Sequence, residues 1–222
     1  MKKIKALCKR LAVGNKLNSF PQRYPEYDPS DDKIHLLYIA PRLSGSGYYR
    51  AIAPALELNQ TSSHRAIITE IPKWNFDKGF LEDVRPVDRR LVVWADYIIF
   101  PAIDKDIGFL LQGWKAQNAE VQFVMDLDEN IHALPRQHPQ FAKVTAAAKA
   151  QLLRNISKMD LLTGASEGLL DFYENLIEKY HPTSQVMMGY LPNLISSFGY
   201  EELSPIKSSK EENRIIKIGI IG

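Results

Sequence analysis

The chain has 222 residues, 45% of them apolar and 24% charged, which suffices for a packed core. A globular chain of this length buries about 70% of the surface its unfolded form exposes, so global disorder is excluded. Cys8 is the only cysteine, which excludes a disulfide scaffold, and no stretch approaches the roughly 18 apolar residues of a membrane span.

The net charge of +2 is unevenly placed. Lys2, Lys3, Lys5, Lys9, Arg10, Lys16 and Arg23 fall within the first 25 residues, where no acid occurs, leaving an acidic remainder. Such a basic arm points to an anionic partner. Ile4, Leu7, Cys8 and Leu11 recur at helical spacing among the lysines, so the arm reads either as a solvated tail or as a short amphipathic helix lying on anionic lipid. No signal-peptide h-region follows the lysines. The expected location is cytoplasmic, with peripheral contact at the inner membrane face as the arm's contribution. Residues 17–32, punctuated by Pro21, Pro25 and Pro29, read as an extended linker that completes an arm over 1–32.

From residue 33 the pattern is regular. Lys33–Ala40 is a nearly continuous apolar run of the kind a strand buried on both faces requires. A glycine loop and a helix over 48–59 follow, with Pro54 forcing that helix to start near Ala51 or to kink. Further strands are expected at Arg65–Ile71, Asp96–Phe100, Val121–Asp126, Asp160–Thr163 and Gln185–Leu191. Further helices are expected at 107–118, at 139–157 with Pro139 in the first turn, and at 167–180. Residues 73–90 are charged and irregular and receive no element. Strands alternating with helices predict an α/β fold, a Rossmann-like parallel sheet with helices on both faces, over 33–203. Ligands in such sheets bind beyond the carboxyl ends of strands. Ser204–Asn213 reads as a linker. Arg214–Gly222 (RIIKIGIIG) reads as one more strand, either pairing with the first sheet or opening a second domain cut short.

Two loops carry the chemistry. Arg42–Arg50 (RLSGSGYYR) follows the first strand and opens the first helix. Gly45, Ser46 and Gly47 let backbone N–H groups approach an anion, and the helix end adds partial positive charge. Gly45-Ser46-Gly47 is half of a dinucleotide fingerprint, with Arg50 where the third glycine belongs and Glu70 near the place of a ribose-binding acid. A nicotinamide enzyme, a turn without a ligand, and a sugar- or phosphate-facing loop are all compatible with it. Arg50 either aids anion binding or makes a salt bridge to the body. The second loop, Asp126–His132 (DLDENIH), clusters Asp126, Asp128 and Glu129 at a strand end. Their repulsion requires at least one to be hydrogen-bonded, paired with a cation, or raised in pKa. A proton acceptor or a binder of sugar hydroxyls fits that crowding. Asp126 and Asp128 also spell D-x-D, and His132 is a base, a ligand, or neither. No zinc spacing, G-x-S-x-G or P-loop is present.

In order, SGSGYYR, a helix with Pro54, ADYIIFP, VMDLDENIHALP, MDLLTGASEGLLDFY and YLPN resemble the N-terminal domain of a GT-B-type glycosyltransferase of the retaining, family-four-like group. The resemblance covers most of 33–222. It implies an acceptor-binding domain, a second domain holding a nucleotide-sugar donor, transfer in the cleft between them without metal or other cofactor, and a glycan or lipid-linked acceptor, as in bacterial surface polysaccharide synthesis. It implies further that Gly45, Ser46 and Gly47, with Tyr48 and Arg50, face the diphosphate or sugar. Asp126, Asp128, Glu129 and His132 would line the acceptor side as catalytic candidates, with Ser166 and Glu167 at the next loop. The 222 residues alone are expected not to turn over. Nucleic acid is not an expected partner. A non-catalytic α/β module binding a nucleotide or a protein is the alternative, with a nicotinamide oxidoreductase behind it.

Overall fold

The computed structural model describes residues 19–39, 47–69, 87–138 and 141–193. Within them lies a sheet of six strands, all parallel: β1 (Ile34–Tyr38), β2 (His64–Ile68), β3 (Tyr97–Pro101), β4 (Gln122–Leu127), β5 (Leu161–Gly164) and β6 (Met187–Tyr190). Their spatial order is β2-β1-β3-β4-β5-β6. The chain therefore steps from β1 to one side, then crosses back over β1 to β3 and proceeds outward to β6. That reversal puts the topological switch point beside β1 and β3, where doubly wound sheets hold ligands. The registers Tyr38↔Ile99 and Pro101↔Asp126 bring the carboxyl ends of β1, β3 and β4 onto one rim.

Alternation along each strand splits the sheet into two faces. One face carries Leu37, Ile67, Ile98, Phe100, Phe123, Met125 and Leu162, all at most 2% exposed. Helices α3 (Arg89–Trp94), α4 (Gly108–Lys115), α5 (Ala146–Ile156) and α6 (Glu167–Tyr180) supply Leu91, Trp114, Leu152, Ile156 and Tyr173 to the same cluster. The other face carries Tyr38, Ala66, Ile68, Ile99 and Val124, and its helical cover comes from Ala51, Ile52 and Ala55. These belong to a π turn, Tyr48–Ile52, that runs into α2 (Ala53–Leu58). Helices thus lie on both faces, but unevenly. Among the described residues only this one helix covers the second face, and Tyr97 and Met187 on it are 37% and 62% exposed.

The strands and most helices match the sequence reading; where they differ, the reason is local. The kink expected at Pro54 is a change of helix type: Ala53 N–H bonds to the Tyr48 carbonyl in the π turn, and Pro54 sits in the first turn of α2, where its missing N–H costs nothing. The long helix begins at Ala146 and not at residue 139, because the Thr145 hydroxyl accepts the Ala148 N–H at 3.1 Å and caps it there. Finally, residues 19–31 are not an extended linker. A short helix, α1 (Phe20–Arg23), buries Phe20 and Tyr24 in the main core, and the Trp94 indole donates to the Asp28 carbonyl at 3.0 Å. Asp31 then meets His35 Nε2 at 2.5 Å and Arg65 Nε at 2.7 Å, fastening the segment to β1 and β2.

Helix α3 falls at the edge of the stretch that received no element. Asp88 caps it by accepting the Arg90 N–H at 3.0 Å. In the other direction, Asn155 is fully buried in α5 and donates to the carbonyls of Ile103 and Lys105, both at 2.7 Å, pinning the loop between β3 and α4. At the end of β5, a side chain on Gly164 would meet Leu170 Cδ2 at 2.8 Å, so the absence of Cβ is what lets α6 pack closely there. The basic arm, the linker after β6 and the strand expected at 214–222 lie outside the described residues.

Candidate functional site

Tyr48 and Arg50 leave the carboxyl end of β1 on the π turn, and π turns displace side chains from the places an α-helix would give them. Arg50 reaches across β3 to β4. Its Nε donates to Asp126 Oδ2 at 2.6 Å and its Nη2 to Asp126 Oδ1, a bidentate fork. Its Nη1 donates to the Leu191 carbonyl at 2.7 Å and to Asn193 Oδ1 at 3.1 Å. Thr163, at the end of β5, donates its hydroxyl to Asp126 Oδ1 at 2.5 Å. The side chains of Arg50 and Asp126 are 9% and 4% exposed. One guanidinium therefore ties the π turn before α2 to the end of β4 and the segment just past β6.

Beneath this knot lies an open cavity of about 310 Å³ on the sparsely covered face. Its floor is Leu36, Ile99, Val124 and Leu161, and Arg50, Asp126 and Thr163 form its polar end. Tyr38 also lines it. Burial, with the Asp126 charge beside it, pushes the Tyr38 phenol well above the ordinary tyrosine range, against a smaller opposing effect of Arg50. Tyr38 is thus a neutral hydroxyl at any working pH. At the end of β2, the buried Thr69 hydroxyl has no hydrogen-bond partner among the described residues.

The acidic loop continues along the same rim. Asp128 is half-buried and Glu129 exposed. Asn130 Oδ1 accepts the N–H groups of His132 and Ala133, both at 3.1 Å, which caps a single 3-10 turn (Ile131–Ala133). The turn lays the half-buried His132 ring against α6, where Nδ1 is 3.1 Å from the Tyr173 hydroxyl. Lys149 Nζ donates to the His132 carbonyl at 2.7 Å. Burial first, then the Lys149 charge, hold the His132 pKa below the usual histidine value.

The expected site residues therefore separate by what they touch. Asp126 was expected among the catalytic carboxylates. Both its oxygens accept from Arg50 or Thr163 and its side chain is buried, so it is the anchor of the rim. Of the two roles open to Arg50, the salt bridge to the body is the one observed. Ser166 caps α6, its hydroxyl accepting the Leu169 N–H at 3.3 Å, while Glu167 is exposed in the first turn and faces the positive helix end. The T-x-x-S-E-x-L segment thus divides into local tasks: Thr163 bonds Asp126, Ser166 caps, and Leu169 enters the core. Tyr48 is half-buried, packed on the second face and edge-on to Tyr49 at 5.2 Å. Gly47 is buried in ordinary right-handed helical backbone. Gly45, Ser46 and Glu70 lie outside the described residues.

Sequence reasoning did not pick out Tyr38, Asn193, Lys149 or Tyr173. Only the Pro-Asn step at 192–193 gave a local signal, since an asparagine fixed just past a strand end is a ready hydrogen-bond acceptor; the others become visible through contacts between distant segments. Among the described residues no group of three or more His, Cys, Asp and Glu side chains is disposed to hold a metal, so the D-x-D spelling brings no such cluster together. No helix among them is long and apolar enough to cross a membrane. No protein-family model matches the chain, and comparison with curated proteins and with solved structures gave no match.

Proposed function

We propose that this chain is the acceptor-binding domain of a GT-B-type glycosyltransferase, working on a glycan or lipid-linked saccharide with a nucleotide sugar as donor. One observation carries the reading: the helix that follows the glycine loop and the acidic loop after β4 share one rim, joined by Arg50 and Asp126. A sugar acceptor needs carboxylates and neutral hydrogen-bonding groups at such a rim, and an apolar floor suits a lipid-linked or ring-face contact. Asp128 and Glu129 are the free carboxylates for acceptor hydroxyls, and His132 stands beside them. Transfer passes through an oxocarbenium-like state while negative charge grows on the departing diphosphate. Arg50 is already neutralised by Asp126, so N–H groups and cations elsewhere must stabilise that leaving group.

The reading is tested by calorimetric titration of the 222-residue chain with a panel of oligosaccharides. Saturable binding that weakens at least tenfold in Asp128→Asn and Glu129→Gln, and is unchanged in the control Asp106→Asn, supports it. Binding indifferent to both rim carboxylates, or no binding at millimolar saccharide, overturns it. A cofactor-fluorescence titration with a reduced nicotinamide tests the oxidoreductase alternative in the same samples.

A second reading, a non-catalytic α/β module that binds a protein, is favoured by the open sheet face, where Tyr97 is 37% and Met187 62% exposed.

A further inference from the structure

The second face of the sheet holds a buried polar group that its surroundings do not satisfy. Tyr38, at the carboxyl end of β1, is only 8% exposed, yet among the described residues its hydroxyl has no hydrogen-bond partner. Native folds rarely leave such a group unpaired, and the usual reason is a molecule that completes it. Tyr38 lines the cavity below the Arg50–Asp126 pair, so a partner can reach it from that space. The rest of the cavity fits one kind of occupant. Its floor is the flat apolar surface of Leu36, Ile99, Val124 and Leu161. Gly189, which pairs with Thr163 across the edge of the sheet, adds no side chain there; a Cβ would stand 3.2 Å from Leu161 Cδ1 and 3.5 Å from Thr163 Cγ2. Among the lining residues only Arg50 and Asp126 carry permanent charge, and the bidentate fork neutralises both. A charged occupant would lose its hydration and find no free counter-charge. The volume of about 310 Å³ is at the small end of ligand pockets.

We propose that this cavity binds an uncharged, ring-sized, largely apolar molecule that carries a hydroxyl or carbonyl oxygen, and that Tyr38 is the residue that hydrogen-bonds this oxygen. The ring lies on the apolar floor and the oxygen points to the polar end. Because Tyr38 keeps its proton, it can donate to a carbonyl and either donate to or accept from a hydroxyl. Asp128 and Glu129 do not line the cavity, so the site stands whether or not the rim takes a saccharide.

The test uses three matched probes, 4-methylphenol, toluene and 4-methylbenzoate, titrated into the methyl-labelled 222-residue chain and followed by NMR. Saturable shifts of the Ile99, Val124 and Leu161 methyls are expected with the first two probes, and none with the carboxylate. The phenol should bind about fivefold more tightly than toluene, the worth of one hydrogen bond. Tyr38→Phe, which removes only an unpaired hydroxyl, should keep the fold and the toluene affinity and bring the two affinities together. Asp128→Asn and Glu129→Gln should change none of these values, which separates this site from the saccharide reading. Equal affinities for phenol and toluene in the original chain, a preference that survives Tyr38→Phe, equal binding of the carboxylate, or no shift at millimolar probe overturns the proposal. So does binding that appears only after residues 194–222 are deleted, because the chain would then fill the cavity itself.

Discussion

Arg50 and Asp126 stand 76 residues apart and yet close on each other as a two-pronged ion pair beside the carboxyl end of β4. Removing one member leaves a buried charge without its partner, which costs about 3–5 kcal/mol. Arg50→Met is therefore expected to destabilise by that amount, measured by urea denaturation. Arg50→Lys should recover little, because an ammonium cannot reproduce the fork or the reach to Leu191 and Asn193. Arg50→Met combined with Asp126→Asn should cost clearly less than the two single changes added together. Strict additivity would mean that the pair does not act as a unit.

The short helix α1 makes a different prediction about the N-terminus. Extending a deletion of residues 1–18 to residues 1–25 removes Phe20 and Tyr24 from the core and should cost about 3 kcal/mol more, read from the thermal midpoint. Liposome binding by the basic arm is therefore to be assessed with the shorter deletion, since the longer one confounds membrane affinity with unfolding.

Lys149 is expected to set the titration of His132. Lys149→Met removes the neighbouring cation and should raise the His132 pKa toward its ordinary value, followed by NMR titration. The sign for stability follows from a folded-state pKa lying below the unfolded value of about 6.5. The contribution is complete above that value and is lost as pH falls through the folded pKa, because the unfolded chain takes up the proton more readily. Urea midpoints of the variant should therefore fall less steeply below pH 6.5 than those of the original chain.

Acid should unfasten the N-terminal segment as well. Burial works to raise the Asp31 pKa, but the hydrogen bonds from His35 and Arg65 outweigh it and hold the carboxyl below the usual aspartate range. Asp88 is held low in the same sense, chiefly by the Arg90 side chain. Both contributions are present above the unfolded value of about 4 and disappear as pH drops through the depressed folded pKa values. Asp31→Asn should cost roughly 2 kcal/mol at pH 7 and much less near pH 3, read from denaturation curves at the two pH values.

Asn155 gives a test of the core that is independent of charge. Asn155→Leu keeps the volume but strips the donors from the Ile103 and Lys105 carbonyls, for an expected loss of about 2 kcal/mol or more. Faster hydrogen exchange confined to the loop between β3 and α4 would locate the damage.

The sheet was legible because parallel strands buried on both faces write themselves as short apolar runs, as at Lys33–Ala40 and Val121–Asp126. Helix α6 was legible to the residue, since Ser166 and Glu167 mark its start and the apolar stripe persists to Tyr180. Helix α3 was missed because six residues carry too little periodicity, although Asp88 before Arg89-Arg90 was a capping signal. Helix α1 was hidden by its prolines, even though Phe20, Tyr24 and Tyr27 recur at helical spacing. The rim could be located from the sequence but not wired. Which carboxylate Arg50 would take, and that His132 would meet Tyr173, depend on contacts 76 and 41 residues long that no local pattern encodes.

The strand order bears on how the chain is made. β1 is flanked by β2 and β3, so through the emergence of residues 34–68 from a ribosome it can be paired along one edge only, and its second neighbour arrives with residue 97. The guanidinium of Arg50 waits longer still, for a counter-charge 76 residues downstream and a carbonyl 141 residues downstream. Vectorial synthesis must therefore carry β1 with one edge open until β3 emerges and an unneutralised cation until Asp126 emerges, and full closure of the Arg50 knot waits for Leu191 and Asn193, at the very end of the described body.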